Sequence, residues 1–125
     1  LVMEGYSYNS ANKKFLLGEV GSIVKLLAYD NDADLFSAAP KQLKKFVSGR
    51  GGASKQQMIT CIDKQWGLKV TDDNLADAFG LACIAHEITW PQSTKRHQLD
   101  VVKLITKKSL KPKRKRSIKL VPNAI

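Results

Sequence analysis

Gly49-Arg50-Gly51-Gly52-Ala53-Ser54-Lys55 interrupts one helical pattern, starts a second and places a lysine in the first turn of that second helix. Glycine suits the break because it reaches left-handed backbone angles without a steric cost. Ser54 and Gln57 stand at capping-box spacing for the helix that follows. A nest-like turn feeding a helix N-terminus is also a favourable place for phosphate. Further along, Asp73-Asn74-Leu75-Ala76-Asp77-Ala78 sets acidic and amide side chains one turn apart on another helix. A glycine loop alone is weak, since many merely join helices; the two segments together, in this order, carry the reading.

Around them the chain alternates strand and helix. Leu1 to Tyr8 reads as the end of a buried strand, rich in β-formers and aromatics. Leu16, Val20, Ile23, Val24 and Leu27 fall on one face of a helix over about 15–28, with Gly18 and Gly21 allowing close approach to a sheet. Leu35–Ala39 is a short strand, and Pro40 suits the first position of a helix whose apolar face is Leu43, Phe46 and Val47. The helix after Ser54 has Met58, Ile62 and Trp66 as core positions and ends at Gly67. Thr71 to Asn74 supplies caps for a helix to about Ile88, expected to pack through Leu75, Phe79, Ala82, Cys83 and His86. Residues 94–109 form a last helix using Leu99, Val102 and Ile105, before a basic tail that orders only on meeting a partner. This order makes the fold class α/β.

A chain of 125 residues is one domain at most, and 43% hydrophobic content fits a folded protein. No apolar run approaches the about 20 residues of a membrane helix, and no secretory signal precedes Glu4. The sequence therefore reads as cytosolic, or nuclear in a eukaryotic host, with no membrane partner. The formal charge is +10, and residues 95–119 alone carry eleven Lys or Arg against one Asp. Such asymmetry points to a polyanionic partner, nucleic acid first and an acidic membrane surface second, or else to a solubilising tail. Cys61 and Cys83 lack CxxC spacing and read as reduced, buried thiols, while His86 and His97 have no partner at zinc-ligand spacing.

With Glu4-Gly5-Tyr6 on the first strand, the glycine loop and the Asp73–Ala78 segment resemble the RuvC group of Holliday-junction resolvases, especially its bacteriophage members, over roughly residues 1–88. The resemblance implies an RNase H-like fold, truncated at the N-terminus: three antiparallel strands and the family's first catalytic aspartate have no counterpart here. The chain is accordingly expected to be part of a longer protein, with a resolvase domain over 1–92 and a basic helix and tail over 93–125. It implies a homodimer that cuts branched DNA with two divalent metals, Mg²⁺ or Mn²⁺, held by clustered carboxylates. Glu4 and Asp77 match metal-binding catalytic positions, with Asn74 at the family's other helix acid and Asp73 one residue earlier as a substitute. Lys44 or Lys45 and Lys55 match lysines that contact DNA, and Arg50 adds charge in the loop. Tyr6 matches an aromatic region that holds unstacked bases, although the family position three residues after the glutamate is Ser7 here.

Each residue also has a plainer reading. Glu4 fits an edge-strand carboxylate in solvent, Asp72 and Asp73 fit helix caps, and Tyr6 and Tyr8 fit strand packing. The apolar face over 15–28 fits either a dimer contact or intramolecular core. Glu19 matches a recurrent phage-type segment without a role. Two rival functions stay open: a remnant that binds junctions without cutting, and an RNase H-fold nuclease acting on another nucleic-acid structure.

Overall fold

Parallel pairing of two three-residue strands sets the frame. In the computed structural model β1 (Val2–Glu4) and β2 (Phe36–Ala38) pair with Val2 opposite Phe36, Met3 opposite Ser37 and Glu4 opposite Ala38. The structure describes residues 1–5 and 14–108, with side chains described at 1–5 and 18–108. Parallel strands require a long crossover, which here contains α1 (Lys14–Asp30). Four further helices follow: α2 (Pro40–Ser48), α3 (Lys55–Trp66), α4 (Asp73–Thr89) and α5 (Arg96–Thr106).

Local chemistry fixes the helix ends where the sequence places them. Pro40 opens α2, and the Gln42 side chain accepts the Ala39 N–H at 2.9 Å. Gly49 ends α2 at φ 82°, a left-handed angle that its lack of a Cβ makes inexpensive, and its N–H reaches the Lys45 carbonyl at 2.8 Å. The expected capping box opens α3: Ser54 Oγ accepts the Gln57 N–H at 3.2 Å, and Gln57 Oε1 accepts the Ser54 N–H at 2.9 Å. Asp72 caps α4 by accepting the Asn74 N–H at 2.6 Å.

The core gathers around α2, which packs against α3, α4 and α5. Leu43, Phe46 and Val47 are fully buried, as are Met58 and Ile62 of α3, Ile84 of α4, and Val101 and Ile105 of α5. α4 approaches α2 through Ala76 and Gly80. A Cβ added at Gly80 would stand 2.7 Å from Leu43 Cδ1 and 3.0 Å from Val47 Cγ2, so glycine sets the spacing of the two helices.

Two packing expectations, on α4 and α5, are corrected. α4 buries Ala76, Gly80, Ile84 and Glu87, whereas Leu75, Ala82 and His86 of the expected stripe face solvent. The helix is apolar on most of its circumference, and its smallest residues mark the face that reaches a neighbour. α5 buries Gln98, Val101 and Ile105, leaving Leu99 exposed. Gln98 is acceptable inside because its Nε2 donates to the Phe46 carbonyl and to Gln65 Oε1, both at 3.3 Å, while Ser93 Oγ–H donates to its Oε1. On α1, Val20, Ile23 and Leu27 are exposed, together with Leu26, so the apolar stripe is not covered by the described residues. Tyr6, Tyr8 and the tail from Lys111 lie outside the described residues.

Candidate active site

β1 ends on Glu4, at the carboxyl end of the parallel pair. α4 packs against β1 and carries Asp77 close enough for its charge to act on Glu4. The Glu4 carboxyl is raised above its ordinary value of 4.5, chiefly by lost hydration and then by repulsion from Asp77, with the Lys44 ammonium opposing both. Asp77 is likewise raised above 3.8, first by lost hydration and then by Asp73 one turn earlier, with Lys44 and Lys55 opposing. Two carboxylates from different elements, Glu4 exposed and Asp77 half-buried, are thus each biased toward the protonated form. Lys44, half-buried on α2, acts on both.

Asp73 has a different partner. Its Oδ2 lies 2.7 Å from Lys55 Nζ, and this contact lowers the Asp73 pKa and raises that of Lys55. The pair joins the N-terminal turn of α3 to that of α4. At 80% side-chain exposure, Lys55 is held by solvent-screened attraction and is open to exchange partners. Asp72 takes the capping role, so the capping alternative applies to it, and Asp73 turns to Lys55. Asn74 is exposed on the first turn of α4, three residues before Asp77.

The adjacent lysines of α2 diverge. Lys44 acts on the acids, whereas Lys45 acts on His97 of α5, whose pKa is lowered by burial first and then by Lys95 and Lys45. Arg50 is exposed in a loop pinned by Ser48, whose hydroxyl lies 2.7 Å from the Lys44 carbonyl and accepts the Arg50 N–H at 3.1 Å. The N–H of Ala53 closes the turn onto the Arg50 carbonyl at 3.2 Å. The fold therefore brings Glu4, Asp77, Asp73, Lys44 and Lys55 into one electrostatic group, with Arg50 on the loop leading into α3. It leaves Lys45 on another side. Tyr6 lies outside the described residues, and Glu19 is exposed on α1. Among the described residues, no three of His, Cys, Asp or Glu stand grouped to hold a metal ion.

Two basic neighbours of Glu4 escaped the sequence reading. Lys25 of α1 and Lys108, just after α5, line a cleft that Glu4 also lines. No local signal marks either, because exposed lysines at helical spacing are ordinary.

The geometry has relatives. A sequence model of Crossover junction endodeoxyribonuclease RuvC matches residues 2–86. Proteins of that name from Chlamydia muridarum and Chlorobium phaeobacteroides are 36% and 33% identical to the chain over 86 and 75 residues. Those alignments cover 65% and 58% of this chain, and 51% and 40% of the relatives. The chain thus spans about half the length of the curated relatives it matches. A solved Thermus thermophilus RuvC structure superposes with a TM-score of 0.55 at 24% identity, covering 65% of this chain and 51% of that one. That likeness supports the RNase H-like expectation for the fold. The matched residues run from β1 into the second half of α4 and so contain both Glu4 and Asp77, and on that span the chain belongs to the RuvC family.

Proposed function

We propose that this chain carries part of the catalytic centre of a metal-dependent endonuclease that cuts branched DNA, with Holliday junctions as its principal substrate, in the cytoplasm of a bacterial or phage-infected cell. The observation that carries the reading is the meeting of Glu4 and Asp77 beside Lys44. Carboxylates that repel one another are stabilised by a divalent cation, and oxygen donors of this kind suit Mg²⁺ or Mn²⁺. Glu4 and Asp77 would hold such a cation, with Asn74 as a neutral oxygen donor or Asp73 once it leaves Lys55. A cation bound there supplies an activated water and charge neutralisation at the leaving oxygen. Lys55 and Arg50 hold phosphates on the exposed side of the acids, and Lys44 balances charge between them. Lys45 extends the basic surface toward α5, and Tyr6 is positioned in sequence to stack an unpaired base. The exposed Val20, Ile23, Leu26 and Leu27 of α1 support a homodimer in which two such sites address opposing strands.

The test is cleavage of labelled four-way junction, flap, duplex and RNA–DNA hybrid by the purified protein in Mg²⁺ or Mn²⁺, beside D77N. Metal-dependent nicking of the junction, lost in D77N with junction binding retained, is expected. Equal cutting by D77N removes the site assignment, and preference for flap or hybrid moves the substrate. A second reading, junction binding without cleavage, draws on the pairing of Asp73 with Lys55, which leaves Glu4 and Asp77 as the two acids free for metal. Tight junction binding with no cutting in either metal selects it.

A further inference from the structure

Glu4 faces more than the acids of α4. It also lines a cleft of about 520 Å³ whose wall includes Ser37 and Gln42, with Lys25 at one rim and Leu104 and Lys108 at another. Asp77, Lys44 and Lys55 contribute nothing to this wall. Five elements build it: the ends of the two strands, the first turn of α2, the middle of α1, and the end of α5.

We propose that this cleft carries the sugar–phosphate backbone of the bound nucleic acid beyond Glu4, with Lys25 and Lys108 contacting phosphates, and that α5 is built into the core to form its outer wall. The inference rests on the nucleic-acid reading given above and extends it to a second track. α5 is no loose appendage: Gln98, Val101 and Ile105 are buried, and Gln98 is hydrogen-bonded to the α2 backbone. That anchoring fixes which residues reach the cleft. Leu104, one position before the buried Ile105, offers an apolar surface on which a sugar can lie. The Lys108 N–H donates to the Ile105 carbonyl at 3.2 Å, so the backbone keeps turning and holds Lys108 at the rim.

Charge decides the occupant. A carboxylate wall flanked by two exposed ammonium groups repels a free dianion from one side and attracts it from two. A polyanion threaded past Glu4 satisfies all three once a cation sits on the carboxylate. The carboxyl end of α5 presents a partial negative charge to the same space. Lys103, Lys107 and Lys108, clustered at that end, offset it. In sequence, the basic stretch Lys111 to Arg116 begins three residues after Lys108. Lys108 and all of α5 lie outside the family-matched residues 2–86, so this wall is a property of the chain itself.

The experiment measures binding of a fluorescent four-way junction by the full chain across a potassium chloride series at a fixed concentration of Ca²⁺, an oxygen-seeking cation that can occupy the carboxylate. Wild type is compared with K25A/K108A, K44A/K55A and a charge-matched control, K64A/K69A. Lys64 and Lys69 are exposed on the far end of α3 and the connector after it. Loss of two phosphate contacts makes the salt slope shallower by about 1.8, near 0.9 for each contact on duplex DNA. That change in K25A/K108A, absent in K64A/K69A and reversed in K25R/K108R, is the expected result. A K25A/K108A slope equal to that of the control overturns the cleft, and if K44A/K55A still weakens binding, the nucleic-acid reading survives without it. Failure of the wild type to bind the junction at all overturns both. Both cleft lysines are exposed, so thermal melting of the double variant should match wild type and exclude unfolding as the cause.

Discussion

Replacing Gly80 by alanine tests whether α4 is held where Asp77 can meet Glu4. Alanine is the better helix former by about 1 kcal/mol, so propensity alone makes G80A stabilising. Packing opposes it. The new methyl would stand 2.7 Å from Leu43 Cδ1, and ordinary contact begins at 3.4 Å, so α4 or Leu43 must give by about 0.7 Å. Leu43 and Val47 are 1% and 0% exposed and have no solvent side into which to turn. Overpacking of this kind costs about 1–3 kcal/mol, which leaves a net loss of about 1 kcal/mol after the propensity gain. For a chain of this size the melting temperature then falls by roughly 4 °C. The control is G18A on α1, where an added Cβ meets nothing within 4 Å and propensity acts unopposed. Differential scanning calorimetry should therefore move the two variants in opposite directions. G80A should also weaken metal or junction binding, because Asp77 lies on the same helix, one turn away. A G80A protein that melts higher than wild type, as G18A does, refutes the close approach of α4 to α2.

Four further outcomes follow from the site and its supports. Glu4 and Asp77 hold their protons more tightly when folded than when unfolded, so their contribution to stability falls as pH rises through and above 3.8 and 4.5; in metal-free buffer, subtracting the stability curve of D77N from that of wild type should leave this downward slope. Asp73 acts with the opposite sign, its contribution being present above 3.8 and lost as pH falls; because its charge also raises Asp77, the D77N difference includes their mutual repulsion. At neutral pH, millimolar Mg²⁺ should raise the wild-type melting temperature and leave that of D77N unchanged. Ser54→Ala removes the α3 cap and should cost about 1 kcal/mol in denaturant unfolding, with no change in the slope of the transition. I23D/L27D places charge on the exposed face of α1 and should convert a dimer to monomer in sedimentation velocity without loss of helicity; a wild type already monomeric at tens of micromolar removes the dimer proposal.

What the sequence disclosed and what it hid divide along a physical line. Signals set by neighbours in sequence were legible: Pro40 and Gly49 bound α2, Ser54 and Gln57 cap α3, and Gly67 ends it, because each acts through the backbone within one turn. The nearness of Glu4 and Asp77 was legible only through residue order, since no local rule brings the two together across 73 positions of chain. The faces of α4 and α5 were not legible. On α4, Leu75, Phe79 and Leu81 surround the helix with apolar surface, so periodicity could not choose a side; shape chose it, through Ala76 and Gly80. On α5, hydrophobicity pointed to Leu99, whereas hydrogen bonding placed Gln98 inside and turned Leu104 toward Glu4. The same rotation that defeats the hydrophobic pattern is what brings Lys108 to the cleft. A helix read with Leu99 inward would direct a different set of side chains there, so the buried Gln98 links core packing to the basic rim. Replacing Gln98 with leucine leaves the Phe46 carbonyl to the His97 side chain, which also hydrogen-bonds it. Gln65 Oε1 and the Ser93 hydroxyl, however, each lose the partner that Gln98 supplies, so Q98L should destabilise the fold despite its added hydrophobicity.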